Sequence, residues 1–193
     1  MTTHALPAPL RTRLAAMYDE PHRRYHTLSH IEALLRWLAH WHALASSPSL
    51  IAAAIWFHDA VYDTHRRDNE LRSADLARAE LAALDWPGSD VTRVAELVLA
   101  TQHHQADVRD DDAWLFLDLD LSVLGQSAVQ YAAYSEAVRA EYAWVDDARY
   151  REGRSAVLRS FLGREAIYRT PDIRAAWEAT ARANLANELK SLT

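Results

Sequence analysis

The chain is 193 residues long, carries a formal charge of −6 at pH 7, is half hydrophobic and contains no cysteine. This length suits one sizeable hydrophobic core, and no linker-like stretch divides the sequence, so we expect a single domain over residues 1–193. The lack of cysteine excludes disulfides and thiolate metal sites, and the acidic balance gives no general attraction to nucleic acid or to an anionic membrane.

The sequence predicts an all-α fold. Glycine is rare, with four in the chain, and alanine is frequent, which together favour long helices. Apolar residues recur at helical spacing in about eight segments. These segments are Leu28–Leu44, Leu50–Val61, Leu71–Leu84, Val91–Thr101, Leu115–Leu124, Val129–Tyr142, Ala148–Leu162 and Asp172–Leu189. Ser49, Ser89 and Asp172 are predicted as N-caps or first-turn acids of three of these helices.

Two features of the sequence bear on location. The N-terminal segment lacks the apolar run of a signal peptide, and no segment reaches the roughly 18–20 apolar residues of a membrane span. We therefore expect a cytoplasmic protein whose partner is a small molecule, with no binding to nucleic acid or membrane.

Histidine is concentrated near the start of the first predicted helix. His22, His26 and His30 recur at four-residue spacing, which would align them on one face if the whole stretch were helical. A helix that begins after His26 would instead leave His22 and His26 in a loop. The spacing alone therefore does not decide which of these histidines is a metal ligand.

His58 and Asp59 stand side by side at the end of a mostly apolar segment. Burying either side chain without a partner is unfavourable. Adjacent residues on a regular helix point about 100° apart, so joint binding of a metal requires the helix to end or bend there. The alternative interpretation is a hydrogen-bonded core histidine followed by a helix-end aspartate.

Asp118 and Asp120 alternate with leucine in another apolar run. Residues two apart on a helix diverge widely, so one acid can face a metal while the other caps a helix, pairs with arginine or orients a histidine. Imidazole and carboxylate groups together suit divalent ions such as Mn, Fe, Ni, Zn, Co or Mg. The separated histidines and aspartates thus indicate a dispersed metal site.

The order of these residues resembles a known family. His30, the pair His58–Asp59 and the distant Asp120 resemble the H…HD…D signature of the HD superfamily of metal-dependent phosphohydrolases. More narrowly, seven ordered segments resemble a family of predicted HD phosphohydrolases of about this length. These are YHTLSHI, WFHDAVYD, NELRSA, LATQHH, LDLDLSVLG, YSEAVRAEY and ARANLANEL, which span nearly the whole chain.

The resemblance implies an HD-type helical bundle that binds one divalent metal ion. The implied metal ligands are His30, His58, Asp59 and Asp120. Asp120 is preferred to Asp118 because the last ligand of the superfamily commonly lies just before a short apolar stretch that ends in glycine. His104, or its neighbour His103, matches the place where relatives have a histidine for a second metal or for substrate phosphate.

Further side chains are expected to act on the substrate. Asp59, His104 and Asp63 are the catalytic candidates. Asp63 is either a general base that orients the attacking water or a residue that ends the helix. Negative charge that develops at phosphorus requires cationic or hydrogen-bonding groups. The candidates for that role are Arg23, Arg24, His26, His104 and Arg139. Glu70, at the start of a predicted helix, has either a substrate-side role or a structural one.

These residues predict a metal-dependent hydrolase of phosphate esters, a phosphomonoesterase or pyrophosphohydrolase, acting on a small nucleotide or related phosphorylated metabolite. A bound divalent ion would lower the pKa of its water and polarise phosphorus. Two alternatives stay open. One is a non-catalytic regulatory HD protein that binds a metal and a phosphorylated ligand, and the other is a di-iron HD oxygenase, for which His26 and His104 would supply extra ligands.

Overall fold

The computed structural model of the protein describes residues 5–192, and all regular structure within them is helical. The nine α-helices of this part are α1 Ala8–Met17, α2 Leu28–His40, α3 Pro48–Phe57, α4 Asn69–Ala82, α5 Gly88–Ala100, α6 Asp111–Asp120, α7 Ala128–Glu141, α8 Asp147–Leu162 and α9 Pro171–Leu192. Short 3₁₀ helices cover His42–Leu44 and Leu121–Gly125. The predicted all-α class is confirmed. No helix of the described residues is both long and apolar enough to cross a membrane.

Backbone contacts divide the chain into two compact units. The first extends to Leu119 and the second begins at Asp120, the last residue of α6. The single domain over residues 1–193 stays a prediction, and its residues 1–4 and 193 lie outside the described part of the chain.

The first unit is built around α3. This helix packs against α1, α2, α4 and α5, and α4 packs along α5. Its sequence is apolar on nearly every side, and Ile51, Ala54, Ile55 and Phe57 are fully buried. A helix that is apolar all round is stable in water only when neighbours cover it, which explains its central place.

The start of α3 differs from the prediction. Pro48 is the first helical residue and Ser47 the capping position, so Ser49 lies inside the helix and the predicted cap is wrong. Proline suits this position because the first helical N–H needs no partner within the helix. The carboxylate of Asp112 on α6 accepts hydrogen bonds from the backbone N–H groups of Ser46 at 2.7 Å and Ser47 at 2.9 Å. An aspartate distant in sequence therefore holds the two residues that precede the helix, and the capping position itself makes no side-chain cap hydrogen bond.

The other two predicted helix starts have different outcomes. Ser89 is not a cap, because α5 already begins at Gly88 after Pro87. Asp172 lies in the first turn of α9, as predicted, where its negative charge favours the positive end of the helix.

The second unit is organised around α9, which packs against α8 and against the 3₁₀ helix Leu121–Gly125. Tyr168 donates its hydroxyl to the carbonyl of Leu121 at 3.0 Å. The side-chain amide of Asn184 donates to the carbonyls of Leu124 and Gln126, each at 2.9 Å. These bonds attach Tyr168 and α9 to carbonyls in and just after the 3₁₀ helix.

Candidate metal centre

Three predicted metal ligands converge in the structure. His30, His58 and Asp120 each offer a ligand atom, and the three atoms lie within 4.8 Å of one another. Among residues 5–192 this is the one group of three or more potential ligands that are so close. All of α6 except Asp120 belongs to the first unit, which also carries both histidines.

Each of the three residues lies near a helix end. His30 is the third residue of α2, His58 directly follows the last residue of α3, and Asp120 ends α6. The predicted helix Leu50–Val61 therefore ends earlier, at Phe57. This confirms that the helix ends where His58 and Asp59 meet, which adjacent residues require in order to face one point.

The two imidazole rings face each other through their Nε2 atoms, which are 3.4 Å apart. Both histidines are buried, His58 almost completely. The other ring nitrogen of His58, Nδ1, lies 2.9 Å from the carbonyl oxygen of Ile55. Because a carbonyl can only accept, Nδ1 carries the proton, and Nε2 of the neutral ring presents its lone pair.

Asp59 adjoins this group. Its Oδ2 atom lies 3.0 Å from the same Nε2 atom of His58. With the ring neutral, this nitrogen and the carboxylate oxygen are both acceptors, and a cation between or beside them would relieve their repulsion. Asp59 does not belong to the close group, which holds one carboxylate, Asp120, and two imidazoles, and Asp59 contributes a second carboxylate beside His58. A divalent cation would balance the charge of these carboxylates.

Two separations between donor atoms suit neighbouring ligands of one ion. Atoms bound to an ion at about 2.1 Å lie roughly 3.0 Å apart in octahedral and about 3.4 Å apart in tetrahedral coordination. The two separations around His58 Nε2 are 3.0 Å to Asp59 and 3.4 Å to His30. The close group as a whole spans up to 4.8 Å, so the donor set fits a divalent metal in its chemistry, and a shared ion would draw the ligand atoms closer together.

Asp118, the rival of Asp120, has a different setting. It is buried on α6 and does not belong to the close group. Two helical positions separate the directions of Asp118 and Asp120 by about 200° around the axis. The structure thus brings Asp120 to the histidines, as the resemblance implied.

Arg23 was predicted to bind substrate phosphate, and the structure gives it other partners. Its guanidinium donates to the carbonyls of His26, Asp59 and Ala60 and to the carboxylate of Glu20. These acceptors all belong to the protein, and two of them directly follow His58 in the sequence.

His26 and Arg24 lie near the same segment. The His26 ring is centred 6.1 Å from the His30 ring and 4.3 Å from the Tyr62 ring. Arg24 is exposed and donates to the carbonyls of Pro21 and Arg23. Tyr62 is a neighbour of the site that the sequence interpretation missed, although its position four residues after His58 was a usable signal.

Other predicted site residues are not members of the close group. Asp63 contacts His65, whose backbone and side-chain hydrogen bonds lower the pKa of Asp63 and keep it ionised. Glu70 is the second residue of α4. His103 is exposed, and His104 is a half-buried turn residue with a φ of 48°.

Arg139 lies in the second unit. It donates to the carboxylate of Asp147 and to the carbonyls of Tyr142 and Val145. Its guanidinium also lies over the ring of Tyr150, 4.5 Å from the centroid. These contacts join the end of α7 to the start of α8.

Comparisons with protein-family models, with curated proteins and with solved structures return no match.

Proposed function

We propose that the protein is a metal-dependent hydrolase of phosphate esters of the HD superfamily, acting on a small nucleotide or related phosphorylated metabolite. One observation carries this proposal: His30, His58 and Asp120 present their ligand atoms within 4.8 Å of one another. The HD-type pattern of the sequence supplies the reaction class, since a ligand set by itself does not specify a substrate.

His30, His58 and Asp120 would hold the ion, with Asp59 as the fourth ligand. The hydrogen bond from His58 Nδ1 to Ile55 fixes the ring so that Nε2 points at the group. When bound, a divalent ion supplies a Lewis acid for a phosphoryl oxygen and a water of lowered pKa.

His26 has a proposed role next to a metal ligand, and Asp63 keeps its predicted role as general base without added support. The lowered pKa of Asp63 makes this carboxylate a weaker proton acceptor. The half-buried His26 ring beside His30 can donate a hydrogen bond to a phosphate oxygen. Glu70, His104 and Arg139 keep their predicted roles as proposals without added support.

The test begins with protein purified without chelator. Bound metal is measured by elemental mass spectrometry, and phosphate release is screened over nucleotides and phosphate esters with added Mn²⁺, Co²⁺ or Mg²⁺. Two matched pairs of variants accompany the wild type. Asp120→Asn is compared with Asp111→Asn, an exposed acid on the same helix, and His58→Gln with His40→Gln, an exposed histidine on α2.

We expect close to one metal ion per chain and phosphate release in the wild type and in both control variants. We expect Asp120→Asn and His58→Gln to lose at least tenfold in metal affinity and most of the activity. Bound metal without turnover on any phosphate ester would refute the hydrolase and favour the regulatory alternative. Equal metal content in all five proteins would refute the site itself.

A further inference from the structure

We propose that Arg23 is a positioning residue, which holds the two histidine-bearing segments of the metal centre in register and does not bind substrate. This inference rests on the metal centre of the proposed function. It assigns a role to a buried cation that the proposed reaction does not use.

The guanidinium of Arg23 is enclosed by the protein. Its side chain is completely shielded from solvent, and the carboxylate that it meets, on Glu20, is 43 % exposed. Its central carbon lies over two aromatic rings, 5.1 Å from the centroid of Tyr18 and 5.3 Å from that of Tyr62. A phosphate group would have to displace these contacts to reach it.

The five N–H donors of Arg23 match five contacts with the chain. Nε donates to Glu20 at 3.0 Å, and Nη1 donates to the carbonyls of His26 at 3.1 Å and Asp59 at 2.8 Å. Nη2 donates to the carbonyl of Ala60 at 2.9 Å and lies 3.0 Å from the Glu20 carboxylate. An arginine carries five such donors, so none is left for a phosphate oxygen.

The three carbonyls belong to the segments that carry the metal ligands. His26 precedes the helix of His30, while Asp59 and Ala60 directly follow His58. The guanidinium of Arg23 therefore links the segment before α2 to the segment that follows α3. This is where the two Nε2 atoms must be held 3.4 Å apart.

Lysine cannot replace arginine in this role. The planar guanidinium reaches acceptors in several fixed directions, whereas an ammonium group is a compact point donor with three protons. With lysine, buried carbonyls of the ligand segments would lose their donor, and the segments would be free to separate. Residues that orient metal ligands commonly change metal affinity by about 10–100-fold when they are replaced.

The experiment measures Co²⁺ binding to the full-length chain by titration and by the visible absorption spectrum of the bound ion. Arg23→Lys is compared with wild type and with Arg36→Lys, which changes an exposed arginine on α2. Helical content is followed by circular dichroism. Glu20→Ala is added because it removes the carboxylate that fixes Nε and Nη2 from the exposed side, so the guanidinium would no longer be held against the three carbonyls.

We expect Arg23→Lys to bind Co²⁺ at least tenfold more weakly than wild type, with a changed absorption spectrum, and Arg36→Lys to match the wild type. A folded Arg23→Lys protein with unchanged affinity and spectrum overturns the inference. If Arg23→Lys does not fold, Glu20→Ala decides: a weaker affinity supports the role, and an unchanged one overturns it. Failure of the wild type to bind Co²⁺ would instead refute the proposed metal centre.

Discussion

Gly125 allows α9 to pack closely against the 3₁₀ helix of the second unit, and the substitution Gly125→Ala tests this contact. A methyl group at this position would overlap Cβ of Trp177 and stand 2.8 Å from its Cγ and 3.1 Å from the hydroxyl oxygen of Tyr168. Both aromatic residues are buried. Trp177 is attached through Cβ to the backbone of α9, so the clash cannot be relieved by turning a flexible side-chain end.

Adding a methyl group to a packed core costs about 1–3 kcal/mol of the free energy of unfolding. For a chain of this size, that lowers Tm by about 2–12 °C. Thermal unfolding of Gly125→Ala followed by circular dichroism at 222 nm measures this shift.

Gly153→Ala is the matched control in the same unit. Gly153 lies in the middle of α8, and a methyl group there meets no atom within 4 Å. Alanine is the better helix former, so this variant should gain about 0.5–1 kcal/mol. The two substitutions should thus shift Tm in opposite directions. An unchanged or raised Tm for Gly125→Ala, or a fall of equal size in both variants, would show that close packing at Gly125 does not limit stability.

Two further predictions concern stability. Burial raises the pKa of Glu188, but hydrogen bonds and charge from Arg154 outweigh this effect and place it below its usual value. The ion pair of Glu188 with Arg154 therefore stabilises the fold fully above the unfolded pKa of about 4.3, and this contribution is lost as pH falls through the folded pKa. Glu188→Gln should lower the free energy of unfolding by about 3–5 kcal/mol at pH 7. Urea unfolding of variant and wild type should show this difference shrinking below about pH 4. A difference that does not change with pH would argue against the ion pair. Asp112→Ala should destabilise by about 1–3 kcal/mol in the same assay because the N–H groups of Ser46 and Ser47 lose their acceptor, whereas an equal effect of the exposed Asp111→Ala would contradict that role.

The helical architecture could be predicted because periodic apolar residues mark the faces that pack together. Eight of the nine α-helices of residues 5–192 overlap predicted segments. The helix Ala8–Met17 was not predicted; Pro7 and Pro9 lie at its start, where proline is compatible with a helix. Proline similarly set the starts of α3 and α5, where serines were predicted as caps.

The metal ligands could be predicted in part. The pattern of His30, His58 and Asp120 identified side chains that the structure brings together. The spacing could not distinguish Asp120 from Asp118, because that choice depends on how α6 is rotated about its axis. The partners of Arg23 could not be predicted either, because they are mostly backbone carbonyls up to 37 residues away. Every residue has a carbonyl, so the sequence does not indicate which ones accept a hydrogen bond.

The ligand atoms come from three helix ends that are far apart along the chain, and this has a consequence for folding. No short stretch of the polypeptide contains the site, so the unfolded chain has no comparable place for an ion. An ion bound there would favour the native state by nearly its full binding free energy, by mass action. The concentration of available metal would then determine how strongly the protein resists proteolysis, independently of any role of the ion in catalysis.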